Sequence, residues 1–270
     1  MLIFIYRFRL MKILSPAQIY KADQATIKNF PITSIDLMEK AANVCYKWIS
    51  EHFPDKSQLI YVCCGMGNNG GDGLAIARLL MENGFKVYTY LICFTEKRSE
   101  DFQVNLDRLI KTKAQIREVR QVADFPEIHK NDLVIDAIFG IGLKRTPTGF
   151  TREFIEYLNT SCADIISIDI PSGLFSNSKI EDKGSVIRSK VTLSFQVPKL
   201  AFLLADHEPY VNDWRILDIE LDQAYLDKAE SMYHLIDHKM IKALLKKRSK
   251  FSHKGTFGHS LLIGGSFGKI

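Results

Sequence analysis

The stretch Gly65-Met66-Gly67-Asn68-Asn69-Gly70-Gly71-Asp72-Gly73 decides the fold predicted for this chain. It follows the apolar run 58–64, which is typical of a buried strand, and it precedes residues 74–80, whose apolar spacing is helical. A glycine-rich connection between a strand and a helix exposes backbone N–H groups, and the helix dipole adds partial positive charge there. The stretch therefore predicts a loop that holds a phosphate group.

The same loop satisfies the dinucleotide fingerprint G-x-G-x-x-G, which would suit an NAD-linked dehydrogenase. Proteins of that class carry an acidic residue at the end of the second strand, where it binds a ribose hydroxyl. The predicted second strand, 85–93, ends without one, and Glu96 is the nearest carboxylate. A tight turn without a ligand is the other alternative, but such a turn does not require consecutive Asn-Asn-Gly-Gly-Asp residues.

The composition is that of an ordinary globular protein: of 270 residues, 46% are hydrophobic and 25% are charged, with a net charge of +5. The basic residues are dispersed, which argues against nucleic-acid binding. The five cysteines include no C-x-x-C pair and favour a reducing compartment. No run reaches the roughly 20 apolar residues that cross a membrane. We therefore predict a cytoplasmic protein that binds neither nucleic acid nor membrane.

Strand and helix patterns alternate along most of the chain. Two helices are predicted first. The helix at 15–29 is predicted because residues 15–18 combine an N-cap serine, a first-turn proline and a capping-box glutamine. A second helix is predicted from Ser34 onward because its apolar residues fall on one face. Apolar strands separated by helices are typical of an α/β protein with a mostly parallel sheet and helices on both faces. The strands are predicted near 58–64, 85–93, 115–119, 132–138, 164–170, 191–197 and 214–219, with helices near 71–83, 99–113 and 151–160.

Three polar, glycine-containing loops follow strands of this predicted sheet, at 65–73, 140–146 and 171–173. Ligands of open parallel sheets bind beyond the carboxyl ends of the strands, so we expect the three loops to meet in one crevice. Asp136 and Asp169 lie in the apolar strands that precede two of these loops, where a carboxylate needs a partner. A cap or a structural ion pair would account for either alone, whereas both beside glycine turns favour a site.

Four strings in this order resemble the NAD(P)H-hydrate epimerases, also called YjeF N-terminal or apolipoprotein A-I-binding-protein-like domains, over about residues 11–222. They are SIDLME at 34–39, GNNGGDG at 67–73, DAIFGIG at 136–142 and DIPSG at 169–173. The resemblance implies a Rossmann-like three-layer α/β/α fold that interconverts the R and S epimers of hydrated NADH or NADPH at ring carbon C6. It also implies a potassium ion in the site and a homodimer.

By the same resemblance, Asn69, Asp136 and Ser172 would bind potassium, and their oxygen ligands suit a hard cation. Hydrated C6 is a carbinolamine, which can lose its hydroxyl to give an iminium and regain water on the other face; transient ring opening is a second route. Either route needs a group that gives and takes a proton, a role predicted for Asp169, with Asp72 as second candidate. The residues that would contact the substrate are Asn68, Asn69, Gly70, Gly71, Asp72, Gly140, Ile141, Gly142, Leu143, Lys144, Arg145, Thr146 and Asp169.

The chain is predicted to consist of three segments. Residues 1–10 are predicted to be an upstream extension, and 11–230 to form the epimerase domain. Residues 231–270 include a string, 253–266, that resembles the start of the ribokinase-like ADP- or ATP-dependent NAD(P)H-hydrate dehydratase domain. Because that domain would be truncated, no dehydratase activity is expected. The alternative function is that of a non-catalytic nucleotide-binding or scaffold protein, which would bind the nucleotide without converting it.

Overall fold

The computed structural model describes residues 11–180, 182–245, 249–256, 261 and 264–265. These residues fall into two units, Met11–Leu235 and the described residues after Leu235. The predicted extension at 1–10 and part of the string at 253–266 lie outside the described residues. The division of the chain at residue 230 stays a prediction.

The strands among the described residues are β1 (Met11–Ile13), β2 (Leu59–Cys64), β3 (Lys86–Ile92), β4 (Gln115–Val119), β5 (Leu133–Ala137), β6 (Asp164–Ile168), β7 (Val191–Phe195), β8 (Trp214–Leu217) and β9 (Tyr233–Leu235). The α-helices are α1 (Pro16–Asn29), α2 (Ser34–His52), α3 (Asn68–Glu82), α4 (Glu100–Ile110), α5 (Phe150–Thr160), α6 (Gln223–Lys228) and, in the smaller unit, α7 (His238–Leu244).

Strands β2 to β8 form one sheet in the order β4-β3-β2-β5-β6-β7-β8, and every neighbouring pair is parallel. Strands β3 and β4 extend the sheet from β2 toward one edge, and β5 then pairs with the other side of β2. The switch point between β2 and β5 is where ligands bind in such sheets. The predicted Rossmann-like α/β fold is confirmed.

Two apolar cores lie on opposite faces of this sheet. Along β2, Ile60 and Val62 pack into one core and Tyr61 and Cys63 into the other, as expected from the alternation of side chains along a strand. The first core includes residues of α2, α3 and α4, and the second includes residues of α5. Helices therefore cover both faces of the sheet, as the sequence predicted.

Some element bounds differ from those predicted. Helix α3 begins at Asn68 rather than at residue 71, so the Asn-Asn-Gly-Gly-Asp string forms its first turns. Strand β6 ends at Ile168 because Asp169 has a positive φ of 67°, and α4 ends at Ile110, before Lys113 with a φ of 60°. Strands β1 and β9 form a separate antiparallel pair that the sequence did not predict.

Candidate active site

The first turn of α3 lies directly beyond the carboxyl end of β2. Gly67 is its N-cap and offers no side-chain acceptor to the helix. The first backbone N–H groups of a helix have no partner within the helix, so those at Asn68, Asn69 and Gly70 remain for a ligand. Together with the helix dipole, they make this end of α3 attractive to an anionic group.

Two glycines hold the loop against neighbouring backbone. A Cβ added to Gly70 would lie 1.8 Å from the carbonyl oxygen of Gly65, and a Cβ added to Gly65 would lie 1.9 Å from that of Ile138. Backbone atoms cannot turn aside as the end of a flexible side chain can. The close approach therefore requires glycine at both positions, which fixes the start of α3 against the loop after β5.

Replacing Gly70 by alanine is expected to lower the free energy of unfolding by about 1–3 kcal/mol, because the new methyl group overlaps the Gly65 carbonyl. Gly142→Ala is a matched control for stability, since its Cβ would meet nothing within 4 Å. That variant is expected to stay within about 0.5 kcal/mol of the original protein. Urea unfolding followed by circular dichroism measures both, and equal stability of the two variants would contradict the close approach.

Asp136 of β5 is fully buried and accepts four hydrogen bonds. The backbone N–H of Ser172 and the hydroxyl of Ser167 donate to Oδ2 at 2.9 and 2.8 Å, while the hydroxyl of Ser172 and the backbone N–H of Ile138 donate to Oδ1 at 2.5 and 3.3 Å. Burial raises the pKa of Asp136, and the bonds from Ser172 and Ser167 lower it again in part. This carboxyl group therefore ties the end of β5 to β6 and to the loop beyond β6.

Asp169 follows β6 in the left-handed backbone region, with a φ of 67°. The backbone N–H of Ile141 donates to its Oδ2 at 3.1 Å, and Nζ of Lys199 lies 2.9 Å from its Oδ1. A non-glycine residue in this conformation costs about 1–3 kcal/mol, and such residues cluster at functional sites. The Asp169–Lys199 pair is thus a strained and buried element at the carboxyl edge of the sheet.

The loops that follow β2, β5 and β6 meet at Gly140. A Cβ on Gly140 would lie 3.2 Å from Cβ of Asn69 and 3.2 Å from Oδ2 of Asp169. Asn69, Gly140, Ile141 and Asp169 therefore lie side by side beyond the switch point of the sheet. In contrast, Lys144 and Arg145 are exposed and form no ion pair with any residue that the structure describes.

Two further carboxyl groups influence this site. Burial raises the pKa of Asp72 well above its ordinary value, and nearby Asp169, Asp23 and Asp101 raise it further. Burial also raises the pKa of Asp23 to about 7; Asp169 adds to this rise and Lys199 opposes it. A desolvated acid beside other acids keeps its proton to higher pH than an exposed one.

Sequence reasoning missed both Asp23 and Lys199. Asp23 lies on α1 within the helical stripe that buries Ile19, Ala22 and Thr26, so an acid on an apolar face was the available signal. Lys199 follows β7, in a loop that also lies at the carboxyl edge of the sheet. That loop lacks glycine, the signal that marks the loops after β2, β5 and β6.

Asn69 is the residue best placed to receive a cation. Its side chain is buried, and neither Oδ1 nor Nδ2 has a hydrogen-bond partner. The Ser172 hydroxyl lies 3.4 Å from the carbonyl oxygen of Phe139 as well as beside Asp136, so turning its proton toward Phe139 would free a lone pair on Asp136. The oxygen types of the three predicted potassium ligands, which are amide, carboxylate and hydroxyl, are those that a hard cation prefers.

The described part of the chain has no group of three or more His, Cys, Asp or Glu side chains arranged for a metal ion. The predicted potassium set contains a single carboxylate and depends on the neutral oxygens of Asn69 and Ser172. None of the helices in the described segments has the length and apolar character needed to span a membrane.

The sequence is similar to that of known proteins. Residues 34–201 match the family described as YjeF-related protein N-terminus. The chain is 35% identical over 263 residues to the bifunctional NAD(P)H-hydrate repair enzyme Nnr of Dictyoglomus turgidum, covering 95% of this chain and 50% of that protein. It is 37% identical over 183 residues to the NAD(P)H-hydrate epimerase of Anaerococcus prevotii, covering 66% of this chain and 82% of that protein.

The chain spans about half the length of the bifunctional relatives that it matches. A crystal structure of the yeast protein ynu0 (YNL200c) superposes with a TM-score of 0.65, covering 77% of this chain and 88% of that one. At 23% sequence identity, this likeness shows a shared fold.

Proposed function

This chain belongs to the family of YjeF-related protein N-termini, and we propose that it acts as an NAD(P)H-hydrate epimerase. It would interconvert the R and S forms of hydrated NADH and NADPH at C6 and so serve the repair of nicotinamide cofactors. The observation that carries the proposal is the meeting of Asn69, Gly140 and Asp169 beyond the switch point, next to the uncapped start of α3. Relatives named as epimerases, of which this chain covers most, support it.

The start of α3 would hold the anionic part of the nucleotide. Its free backbone N–H groups and helix dipole suit the pyrophosphate, and the close-packed glycines let that group approach the backbone. Lys144 and Arg145, which are exposed and without ion pairs among the described residues, would complete the charge neutralisation. With the pyrophosphate bound there, the nicotinamide ring would lie near the acids around Lys199.

The reaction would begin with departure of the C6 hydroxyl. The ring nitrogen lone pair forms a C=N bond while the C6–O bond breaks, and the leaving oxygen takes a proton and departs as water. Asp72 would supply that proton, because its raised pKa keeps it protonated where an exposed acid would be ionised. The products of this step are a planar conjugated iminium, water and the Asp72 carboxylate.

Re-addition of water on the opposite face would complete the epimerisation. As the water oxygen bonds to C6, its electron pair neutralises the iminium and one proton passes to the Asp169 carboxylate. The proton gained by Asp169 and the proton lost by Asp72 are equalised by exchange with water, so no net proton is consumed. Two carboxyl groups of opposite protonation state suit a reaction that must serve both faces of one ring. Transient ring opening would require the same two proton transfers.

Potassium would bind through Asn69, Asp136 and Ser172. Bound there, the ion would supply a fixed positive charge that favours the anionic nucleotide. The unpartnered amide oxygen of buried Asn69 supports this assignment, because an unpaired buried polar group is costly unless a ligand satisfies it. Without the ion, Asp136 and Ser172 join the end of β5 to the loop after β6.

The first test uses purified protein, a mixture of R- and S-NADHX, ATP and a dehydratase specific for the S form. We expect this chain to accelerate NADH recovery from the R fraction in potassium buffer and to do so more slowly when sodium replaces potassium. Reactions without the dehydratase are expected to yield no NADH from this chain. If the R fraction converts no faster than without protein while the nucleotide still binds, the chain is instead a non-catalytic nucleotide-binding or scaffold protein.

We also propose that the protein is a cytoplasmic homodimer. All five cysteines are unpaired and four of them are buried, in keeping with a reducing compartment. Tyr20 on α1 and Phe30 at its end are 63% and 48% exposed, and a second copy would cover such apolar side chains. Size-exclusion chromatography with light scattering measures the oligomeric state directly.

A further inference from the structure

We propose that Lys199 is a positioning residue of this site, which fixes the Asp169 carboxylate for proton transfer without touching the substrate itself. The inference rests on the proposed epimerase function. Lys199 is among the largest fully buried side chains, with 1% of the side chain exposed. A buried lysine is rare in proteins unless it is paired.

The ammonium group of Lys199 is enclosed by oxygen atoms of the protein. An ammonium carries three N–H donors. Nζ lies 2.9 Å from Oδ1 of Asp169, 3.2 Å from the carbonyl oxygen of Phe195 and 3.4 Å from that of Val197. Since 1% of the side chain is exposed and Nζ faces these protein oxygens, Lys199 acts on the reaction through Asp169 rather than by bonding to the substrate.

The fold builds this cradle at the end of β7. Gln196 has a positive φ of 57°, which turns the backbone between the two carbonyl groups that face Nζ. Its side-chain oxygen accepts the backbone N–H groups of Ile219 and Leu221 at 3.1 and 3.4 Å, and so anchors the turn to the segment after β8. The position of Lys199 is therefore set by backbone that does not depend on a ligand.

Both oxygens of Asp169 are fixed as a result. Lys199 holds Oδ1, the Ile141 N–H holds Oδ2, and the backbone N–H of Asp169 donates to the carbonyl oxygen of Leu193 at 2.7 Å. The carboxylate plane is thus set relative to the loop at Gly140. Proton transfer depends on such placement, and a misplacement of about 1 Å can cost about 100-fold in rate.

The titratable groups that face the pair come from three helices: Asp23 on α1, Cys45 on α2 and Asp72 on α3. All three become negative when they ionise, and Lys199 supplies positive charge among them. Removing that charge leaves Asp23 and Asp169 without the cation beside them.

The test compares Lys199→Met with the original protein in the coupled NADHX assay. We expect kcat to fall about 100-fold with little change in KM. A purely structural role would lower the fraction of folded protein and leave kcat per folded molecule unchanged. An inactive original protein would refute the proposed epimerase function, whereas an active one with an unaltered Lys199→Met variant would overturn this inference alone.

The double variant Asp169→Asn/Lys199→Met provides the second measurement. It leaves no unpaired buried charge, so we expect it to fold even where Lys199→Met alone does not. If Lys199 works through Asp169, the double variant has the same kcat/KM as Asp169→Asn. A further loss on top of the Asp169→Asn loss would mean that Lys199 contacts the substrate independently and would overturn the inference.

Discussion

Asp169→Asn is expected to lower kcat/KM for epimerisation by about 10²–10⁴-fold, the usual contribution of a general acid or base, while the protein still binds the nucleotide. The amide keeps an oxygen for Lys199 but has no carboxylate to take up a proton. The Ile141 N–H loses its charged acceptor as well, so the loop at Gly140 is held less firmly. The coupled NADHX assay measures turnover, and calorimetric titration with NADH measures binding.

Asp164→Asn is the matched control for this prediction. Asp164 is at the opposite end of the same strand, β6, and its ion pair with Lys190, at 2.6 Å, is about half exposed. Exposed pairs contribute about 0–1 kcal/mol, so this variant is expected to keep both its stability and its turnover. Full turnover by Asp169→Asn would exclude Asp169 from the chemistry and leave Asp72 as the remaining candidate.

The fold was predictable because its strands are nearly continuous apolar runs. β5, for example, is buried at every position, and a run that is buried on both faces differs clearly from the polar connections beside it. The errors fall where backbone conformation, not hydrophobicity, ends an element. Asp169 and Lys113 adopt positive φ, and a positive φ at a residue other than glycine is uncommon and hard to predict from the sequence.

The candidate site was predictable only where it lies in glycine-bearing loops. Asn69, Asp136 and Asp169 stand beside such loops, and the parallel sheet brings those loops to one edge. Asp23 could not be predicted as part of the site for a different reason. It comes from α1, whose packing against the site depends on tertiary contacts that no local pattern encodes. Its effect on the site is electrostatic and acts through space.

Asp23→Asn is expected to make the protein more stable at pH 8. The pKa of Asp23 is raised from its ordinary value of 3.8 to about 7 in the folded protein, chiefly by burial. An unfolded chain therefore releases this proton at lower pH than the folded one. Stability from Asp23 is present in full below pH 3.8 and is lost as pH rises through about 7.

The largest effect expected at pH 8 is about 4 kcal/mol, since each pKa unit corresponds to about 1.4 kcal/mol. Asparagine does not ionise and so carries no such penalty. The difference in free energy of unfolding between the variant and the original protein therefore increases from about pH 4 to about pH 7 and is constant above that. Denaturant unfolding at a series of pH values measures it. A gap that stays the same across this range would show that Asp23 keeps its ordinary pKa.

Asp36→Asn supplies the control of opposite sign. The pKa of Asp36 is lowered by hydrogen bonds from the hydroxyl and backbone N–H of Thr33, in the capping box of α2. Its carboxylate stabilises the folded state above its pKa, so the same substitution is expected to lower stability at pH 8. If Asp23→Asn raises stability at pH 8 and Asp36→Asn lowers it, the effect at Asp23 comes from burial of that acid and not from the loss of one negative charge.

If Asp23→Asn makes the protein more stable and its epimerisation slower, then Asp23 lowers the stability of the fold but serves the reaction. Natural proteins retain destabilising groups where the reaction needs them, and removing such groups commonly trades activity for stability. Asp23 raises the pKa of Asp72, the proposed proton donor, so its loss would let Asp72 ionise at lower pH. The alkaline limb of the pH–rate profile would then move to lower pH in the more stable variant, a combination that a merely structural Asp23 does not produce.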